Sequence, residues 1–541
     1  MNNAVFSLER PINESVKEYR RGSEDLQLLQ KEIARQSGTQ VEIPLIIGGK
    51  EIKTGDTAPV VSPHNHQHKL GFYHKTRRED VELAIRCALE AKQAWLELPW
   101  EERAAISLRV AELLSKKYRY LINAATILGQ SKNIQQAEID AACEVIDYLR
   151  FNTYFASLIF SEQPASGNAV MNRMEYRPLE GFVYTITPFN FTAIASNLNM
   201  APVIMGNVTV WKPATASLLS SYYLMKVFME AGVPDGVINF VPGSGAVISD
   251  VVLKHKDLAG VHFTGSNDTF NKLWKQVSDN IGTYRSYPRI VGETGGKDFV
   301  FAHNSASLDE LATAIVLGSF EYQGQKCSAA SRSYIPKSIW PQVKEKLLER
   351  VSKICMGDAA DPKNLMGAVI DEKSFDSIVS YIEAAKKSSD VEVLCGGKYD
   401  KSKGYFIEPT FLLCKDPHYT TMETELFGPV MSIYLYDDDK YEETLKLCDA
   451  TSPYALTGSI FSNDKEATVK AFKILRYAAG NFYMNDKPTG AMIGQQPFGG
   501  SRASGTNDKA GGMQNLMRWV SPRTIKETYI PPKDIFYPHM I

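Results

Sequence analysis

The sequence has few cysteines, and they lie too far apart to suggest a disulfide framework. Its seven cysteines are odd in number and scattered over 541 residues, and no CxxC pair occurs, which also argues against a zinc site. Free thiols of this kind suit a reducing cytosol. The stretch 1–21 mixes Glu and Arg and has no apolar run, so it does not resemble a signal or transit peptide. We therefore expect a cytoplasmic protein.

Long apolar runs and an excess of charge of one sign are also missing. No run approaches the roughly 20 apolar residues that cross a bilayer. The net charge of −2 gives no electrostatic reason to bind nucleic acid or an anionic membrane. With 44% hydrophobic and 23% charged residues, the composition is that of an ordinary globular protein, and its length predicts two or three domains. The expected partner is a small molecule.

A metal site is not indicated. His64, His66 and His68 occupy alternate positions, but nothing nearby supplies further ligands. We interpret these histidines as part of a solvated loop or a strand edge, and we predict no metal.

The GxGxxG fingerprint of dinucleotide-binding folds is absent, although the chain alternates strands and helices as those folds do. We predict strands and helices in alternation at 182–187, 192–205, 207–212, 216–231, 236–241 and 260–264. Such alternation predicts a parallel sheet with helices on both faces, and ligands bind these sheets at the carboxyl ends of the strands. Asn190, Lys212 and Gly265 follow three of the predicted strands.

Further elements surround this unit. Apolar residues at helical spacing predict helices at 24–36, 78–98 and 137–160. A second α/β unit at 298–483 contains predicted helices at 307–321, 340–353 and 372–387, the first of which should begin at a capping box formed by Ser307 and Glu310. The segment 518–530 has the alternating, β-branched pattern of an edge strand.

Two segments carry residues with catalytic potential. Cys327 follows Gly324 in a predicted loop, and a thiolate is a good nucleophile, although most lone cysteines only fill the core. Upstream, Glu293 is flanked by glycines that let backbone and ligand approach closely, although a buried ion pair or a helix cap would explain such a glutamate equally well. The turn at 263–266 ends a strand and opens a helix, where backbone amides can receive a phosphate.

Together, Cys327, Glu293 and Asn190 resemble the aldehyde dehydrogenase superfamily, and the resemblance extends from about residue 45 to 530. Three segments resemble the branch that oxidises glutamate γ-semialdehyde: FEYQGQKCS at 320–328, GQQPFGG at 494–500 and RASGTNDK at 502–509.

The resemblance implies an α/β aldehyde dehydrogenase fold with three parts. These are a Rossmann-like NAD-binding domain with an N-terminal helical extension (1–148 and 171–297), an α/β catalytic domain (298–510) and a small β oligomerisation arm (149–170 and 511–541). The family associates through that arm, so the resemblance implies a homodimer or a higher homo-oligomer of dimers.

It also implies a catalytic set. Cys327 would attack the aldehyde, the Asn190 side-chain amide and the Cys327 backbone amide would stabilise the oxyanion, and Glu293 would activate the water that hydrolyses the thioester. Branches that transfer the acyl group to coenzyme A lack a glutamate at that place, so Glu293 implies a free acid as product.

Cofactor and substrate residues follow from the same resemblance. Lys212 would bind the adenosine ribose, Ser266 the pyrophosphate and Glu425 the nicotinamide ribose. The implied NAD-binding residues are Thr187, Lys212, Gly265, Ser266, Asn267, Asp268, Thr269, Glu425 and Phe427. Those implied for the substrate are Ser328, Gly490, Ala491 and Phe498. NAD-selective members often have an acidic residue where Thr215 stands, so we expect NAD with some tolerance of NADP.

The implied reaction is the NAD-dependent oxidation of L-glutamate γ-semialdehyde, which is in equilibrium with Δ1-pyrroline-5-carboxylate, to L-glutamate in the second step of proline degradation. One alternative is a dehydrogenase for another short semialdehyde, such as succinic semialdehyde. That enzyme would hold its carboxylate with arginines, and only Arg502 lies near Gly490 in sequence. Another alternative is a non-catalytic structural relative, against which the intact Cys327, Glu293 and Asn190 argue.

Overall fold

The structure, a computed structural model, describes residues 6–541. The first half of the chain contains a seven-stranded sheet with helices on both faces, and further strands outside that sheet. Its helices are α1 (Glu24–Ser37), α2 (Arg78–Glu97), α3 (Trp100–Lys116), α4 (Arg119–Gln130), α5 (Ile134–Ala137), α6 (Glu144–Ser161), α7 (Thr192–Ile204), α8 (Leu218–Glu230), α9 (Gly245–Val252) and α10 (Asn267–Asp279). Its strands are β1 (Val41–Ile43), β2 (Leu45–Ile47), β3 (Lys50–Ile52), β4 (Thr57–Ser62), β5 (Asn65–His74), β6 (Val170–Pro178), β7 (Phe182–Ile186), β8 (Thr209–Lys212), β9 (Ile238–Phe240), β10 (Leu258–Thr264) and β11 (Arg289–Glu293).

The predicted parallel sheet is confirmed. Its strand order is β11-β10-β7-β8-β9-β2-β3, and the first five strands run parallel. β10 is buried along its whole length, as expected for a strand covered by helices on both faces. The carboxyl ends of β7, β10 and β11 therefore meet at one edge of the sheet, where their following turns carry Asn190, Gly265 and Thr294.

The second half of the chain contains another seven-stranded sheet, and further strands outside it. Its strands are β12 (Asp298–Ala302), β13 (Ala330–Pro336), β14 (Val391–Cys395), β15 (Tyr399–Asp400), β16 (Phe406–Ile407), β17 (Thr410–Cys414), β18 (Val430–Tyr436), β19 (Tyr454–Ala455), β20 (Thr457–Phe461), β21 (Asn481–Met484), β22 (Ser501–Arg502) and β23 (Val520–Thr528). Its helices are α11 (Leu308–Phe320), α12 (Trp340–Val351), α13 (Glu372–Lys387), α14 (Thr420–Glu423), α15 (Tyr441–Ala450), α16 (Lys465–Ile474) and α17 (Met513–Met517). The sheet order is β14-β17-β18-β13-β12-β20-β21, and only β14 is antiparallel to its neighbour.

A separate two-stranded ribbon consists of β6 and β23, which pair antiparallel from Val170 opposite Thr528 to Pro178 opposite Val520. Residues 149–161, which the predicted arm includes, continue α6 and bury Leu149 and Ile159 in the core. The residues from 511 also enter the core before the ribbon begins, since Trp519 is fully buried.

Two local features differ from the sequence-based predictions. The predicted helix at 137–160 contains a π-helical segment at Glu138–Cys143, whose wider turn accommodates the buried carboxylates of Glu138 and Asp140. Helix α11 begins after Ser307 as predicted, but the Ser307 side chain does not cap it. Asn463 Nδ2 instead donates to Ser307 Oγ at 3.2 Å.

The three histidines each have a different neighbour. His64 is buried between Ser131 Oγ (3.2 Å from Nδ1) and Asp358 Oδ1 (3.1 Å from Nε2). His66 Nε2 lies 2.9 Å from the Lys401 carbonyl, and His68 Nε2 lies 2.8 Å from the Ser37 carbonyl. Among residues 6–541, no helix is both long and apolar enough to cross a membrane.

Candidate active site

A cleft of about 470 Å³ opens where turns from both sheets meet, and Cys327 forms part of its wall. Its lining combines the turns after β7, β10 and β11 with residues of the second sheet's loops. Of the residues implied by the sequence, the following line it: Thr187, Asn190, Gly265, Ser266, Thr269, Cys327, Glu425 and Phe427. Residues far apart in the chain thus reach a single site.

Three of the residues implied for the cofactor lie outside that lining. Lys212 ends β8, and burial lowers the pKa of its ammonium group to about 8. Asn267 Nδ2 donates to the Ala503 carbonyl at 2.8 Å, so its amide holds a neighbouring loop. Asp268 is exposed in the first turn of α10, where its carboxylate complements the helix dipole. The structure brings neither Asn267 nor Asp268 into the cleft.

The loop before Cys327 is held in an unusual conformation. Tyr322 and Gln323 both have left-handed backbones, with φ of 51° and 55°. Such a conformation is uncommon outside glycine and persists only when the surroundings enforce it. Tyr322 Oη donates to the Gln130 carbonyl at 3.0 Å, and Gln323 Nε2 donates to the carbonyls of Ser131 and Ala368 at 3.0 and 2.9 Å. These bonds fix the path of the chain toward Cys327.

Asn190 lies against the same loop. Its buried Nδ2 donates to the Gln325 carbonyl at 3.0 Å, two residues before the cysteine. A side-chain amide at this place is suited to stabilise an oxyanion that forms on a carbon bound to Cys327.

Cys327 is a thiol rather than a thiolate in this environment. Burial raises its pKa, and the carboxylates of Asp298, Glu293 and Glu425 raise it further. Because the thiolate is the nucleophilic form, the reaction requires removal of this proton.

Glu293 ends β11, is half-buried and lines neither the large cleft nor the cavity described below. Its Oε1 packs so close to Gly499 that a Cβ there would lie 2.9 Å from it, and its Oε2 has no hydrogen-bond partner in the described structure. Burial raises the pKa of the Glu293 carboxyl well above its usual value, and the nearby Asp508 adds to this effect while Lys509 opposes it. A carboxyl with a raised pKa and a free oxygen can serve as a general base near neutral pH.

Glu425 requires the glycines that follow Glu293. Its Oε1 accepts a hydrogen bond from the Gly296 amide at 2.9 Å, and a Cβ on Gly295 would lie only 1.9 Å from its Oε2. Burial raises the pKa of Glu425 to about 7. Gly295 therefore makes room for the Glu425 carboxylate, and Gly296 donates a hydrogen bond to it.

A smaller cavity of about 50 Å³ also includes Cys327 in its wall. All four residues implied for the substrate line it, namely Ser328, Gly490, Ala491 and Phe498. Ser328 Oγ lies 2.8 Å from Thr489 Oγ1, and Gly490 has a φ of 96°, a backbone that favours glycine.

Several residues that line this cavity are not predicted from the sequence. Asp140, Glu144, Tyr148 and Lys326 also line it. Burial raises the pKa of Glu144 well above its usual value, and Asp140 adds to the effect. The available signal was the spacing of Asp140 and Glu144, two acids one turn apart in a helical segment that also carries Glu138 and Asp147.

Comparison with known proteins agrees with this geometry. The model of the aldehyde dehydrogenase family matches residues 51–525. The chain belongs to the aldehyde dehydrogenase family. Among its relatives, the mitochondrial delta-1-pyrroline-5-carboxylate dehydrogenase of Dictyostelium discoideum is 51% identical, with 99% of this chain and 97% of the relative covered. The human mitochondrial enzyme of that name is 47% identical, with 98% and 94% covered.

Solved structures confirm the predicted aldehyde dehydrogenase fold. The delta-pyrroline-5-carboxylate dehydrogenase from Mycobacterium tuberculosis bound with NAD is 49% identical, and it superposes with a TM-score of 0.96 over 100% of both chains. The Thermus 1-pyrroline-5-carboxylate dehydrogenase with bound NAD is 29% identical, with a TM-score of 0.90 over 97% of this chain and 100% of that one.

The predicted cytoplasmic location is wrong. The relatives from Dictyostelium discoideum, human and cattle are mitochondrial enzymes, which points to mitochondria. Scattered free cysteines indicate a reducing environment but do not distinguish the compartments that provide one.

Proposed function

We propose that the chain oxidises L-glutamate γ-semialdehyde, the open form of Δ1-pyrroline-5-carboxylate, to L-glutamate with NAD, in the second step of proline degradation. The observation that carries this proposal is that Cys327 borders two different cavities, a large cleft and a small polar pocket. The large cleft has the lining of a nucleotide site, and the small pocket has charged and polar groups suited to the polar end of a short aldehyde. The curated relatives and solved structures that carry the pyrroline-5-carboxylate dehydrogenase name support the same reaction.

The residues of the large cleft fit NAD. The amides at the start of α10 suit the pyrophosphate, and Gly265 and Gly295 both line the cleft. Lys212 and Glu425 would hold the two riboses, and NAD when bound supplies the hydride acceptor. Thr215 is exposed and uncharged, so we also propose that NADP is used to some extent.

The protein groups perform the remaining chemistry. The Cys327 thiol gives up its proton to solvent water and the thiolate adds to the aldehyde carbon, while the Asn190 amide and the Cys327 backbone amide stabilise the negative oxygen. Loss of hydride leaves a thioester on Cys327. Glu293 then takes a proton from water, whose oxygen attacks the thioester and releases the carboxylic acid.

The small cavity matches both charged groups of the substrate. Ser328 and the amides of Gly490 and Ala491 offer donors to the α-carboxylate, and the Glu144 carboxyl group offers an acceptor oxygen to the α-ammonium group. The succinic semialdehyde alternative would need an arginine for its carboxylate. Arg502 is engaged elsewhere, because its Nη2 lies 2.8 Å from Asp449 Oδ1. In this chain, uncharged donors are expected to bind the carboxylate.

Ser328→Ala is expected to lower kcat/KM for glutamate semialdehyde about ten- to hundredfold, because a hydrogen bond to a charged group contributes about 1.5–3 kcal/mol. The backbone donors of Gly490 and Ala491 remain, so binding is weakened rather than lost. Steady-state kinetics of the wild-type protein and the variant, followed by the absorbance of the reduced cofactor, measure this change.

Propanal provides the matched control, since it has no carboxylate to use the Ser328 hydroxyl. Its kcat/KM should be low for both proteins and should differ between them by less than about twofold. Equal losses for the two aldehydes would show that Ser328 supports Cys327 instead of the substrate. Failure of the wild-type protein to reduce NAD with pyrroline-5-carboxylate would refute the proposed function itself.

We further propose an assignment of domains and an oligomer. The sheet of β7–β11 with its helices forms the NAD-binding domain, and the sheet of β12–β21 forms the catalytic domain. The ribbon of β6 and β23 forms the arm for association into homodimers or larger assemblies of dimers. An isolated two-stranded ribbon is marginal in water, and most residues of β23 are exposed in the single chain. Packing against a second copy would stabilise the ribbon and would bury the exposed residues of β23.

Sedimentation equilibrium at micromolar concentration is therefore expected to give twice the chain mass of 60.3 kDa, or a multiple of that value. The physical reason is the burial of the exposed ribbon in an interface. A single species of 60.3 kDa that remains active would contradict this assignment.

A further inference from the structure

The N-terminal segment 8–21 has an ordered path although it contains no helix or strand. Side chains hold it against the first domain. Glu14 binds Arg119 and Arg150, at 2.6 and 2.7 Å, and Tyr19 Oη donates to Glu138 Oε2 at 2.8 Å. The segment therefore follows the outer side of the helical region that contributes Asp140 and Glu144 to the small cavity.

The same segment also binds the loop that contains Gly490 and Ala491. Arg10 Nη2 donates to the Gly494 carbonyl at 2.8 Å, and Asn13 Nδ2 donates to the Ile493 carbonyl at 2.8 Å. In the other direction, Gln495 Nε2 donates to Asn13 Oδ1 at 2.9 Å. These hydrogen bonds connect residues that are 480 or more positions apart in sequence.

Asn13 also connects this loop to α6. Its Nδ2 donates to Asp147 Oδ2 at 2.8 Å, and the neighbouring Glu14 amide donates to Asp147 Oδ1 at 2.7 Å. Asp147 lies between Glu144 and Tyr148 in sequence, and both of these line the small cavity, as does Ile493. The Asn13 amide therefore joins two opposite parts of the cavity wall, and both Nδ2 and Oδ1 are in use.

We propose that Asn13 is a positioning residue that sets the Gly490–Ala491 amides at the distance the substrate carboxylate requires. This inference rests on the proposed function. Gly490 and Gly494 both have positive φ values, at which glycine imposes little restraint of its own, so the loop needs contacts from outside to keep one conformation. The N-terminal segment supplies those contacts without entering the cavity.

The test compares Asn13→Ala with Lys17→Ala. Lys17 lies in the same segment, but its Nζ binds Asp25 and Tyr120, so its loss weakens the segment without touching the loop. Each protein is assayed with glutamate semialdehyde and with propanal, and hydrogen exchange is followed for residues 489–496. Arg10→Ala removes an exposed side chain and serves as the second variant if Asn13→Ala does not fold.

Asn13→Ala is expected to raise KM for glutamate semialdehyde roughly three- to tenfold, the size of the contribution of an ordinary hydrogen bond, with kcat nearly unchanged. Propanal kinetics should not change, and exchange at 489–496 should accelerate. Lys17→Ala should leave both kinetics and loop exchange as they are, even if it lowers the melting temperature.

Two results would overturn the inference: equal losses for both aldehydes, or unchanged KM and unchanged loop exchange in both Asn13→Ala and Arg10→Ala. Failure of the proposed function is distinguishable from either, because the wild-type protein itself would then not oxidise glutamate semialdehyde. In that case the exchange measurement alone still decides whether Asn13 holds the loop.

Discussion

Cys327→Ala is expected to reduce aldehyde oxidation by at least about a thousandfold, because no other group at the junction of the two cavities can form the thioester. The change removes one sulfur atom and leaves the rest of the cleft wall in place, so NAD should bind with unchanged affinity. Turnover is measured from the absorbance of the reduced cofactor, and NAD affinity by calorimetry.

The matched control is Cys355→Ala. Cys355 is a free cysteine with an exposed side chain, and it lines neither of the two cavities that border Cys327. Its substitution should leave turnover unchanged. If Cys327→Ala retained more than about a thousandth of wild-type turnover with a correctly folded protein, a route through a Cys327 thioester would be untenable.

Much of the fold was predictable because it depends on local periodicity. The strands β7, β8 and β10 appear as short apolar runs bounded by turns, and their alternation with helices specifies a parallel sheet. The π-helical segment at Glu138–Cys143 was not predictable in this way, since it departs from the helical period for only one turn.

The candidate site also contains some residues that the sequence predicts and others that it does not. Motifs predict Cys327, Glu293 and Asn190, and the structure places Cys327 and Asn190 in the wall of one cleft, whereas the half-buried Glu293 does not line it. Lys326 and Glu144 were not named. Their role depends on tertiary contacts that bring the π-helical region against the loop of Cys327, and such long-range proximity leaves no pattern in a single sequence.

The contacts of Asn13 show the same difficulty more clearly. The segment 8–21 has no helical or strand periodicity, so no pattern in the sequence connects it with the site. Its order comes from side chains that reach Asp147 and the loop at 490–496. Segments of this kind are visible only when hydrogen-bond partners are traced in three dimensions.

Glu293→Gln is expected to separate the two halves of the reaction. Acylation and hydride loss do not need the base that activates water, so one equivalent of reduced cofactor per site should form rapidly. Steady-state turnover should then be slower than wild type by about a hundred- to ten-thousandfold, the usual contribution of a general base. Stopped-flow absorbance resolves the two phases. A variant with normal steady-state turnover would show that Glu293 is not the base.

The pH dependence of deacylation provides an independent check on this role. Because burial raises the pKa of Glu293, the carboxyl is protonated at low pH, and the base becomes available only as pH rises through that raised value. Deacylation should therefore increase with pH in the wild-type protein, and Glu293→Gln should remove this increase.

The charge of Asp508 is expected to move the rise in deacylation rate to higher pH. The Asp508 carboxylate raises the pKa of Glu293, so Asp508→Asn should lower it and move the rise in deacylation rate to lower pH. The amide introduced by this substitution retains an oxygen that can accept the hydrogen bond donated by Thr506 Oγ1, which is 2.5 Å long in the wild-type structure. The rate at high pH should stay close to wild type, because the base itself is unchanged. A rise that moved to higher pH, or did not move at all, would mean that another group titrates in this step.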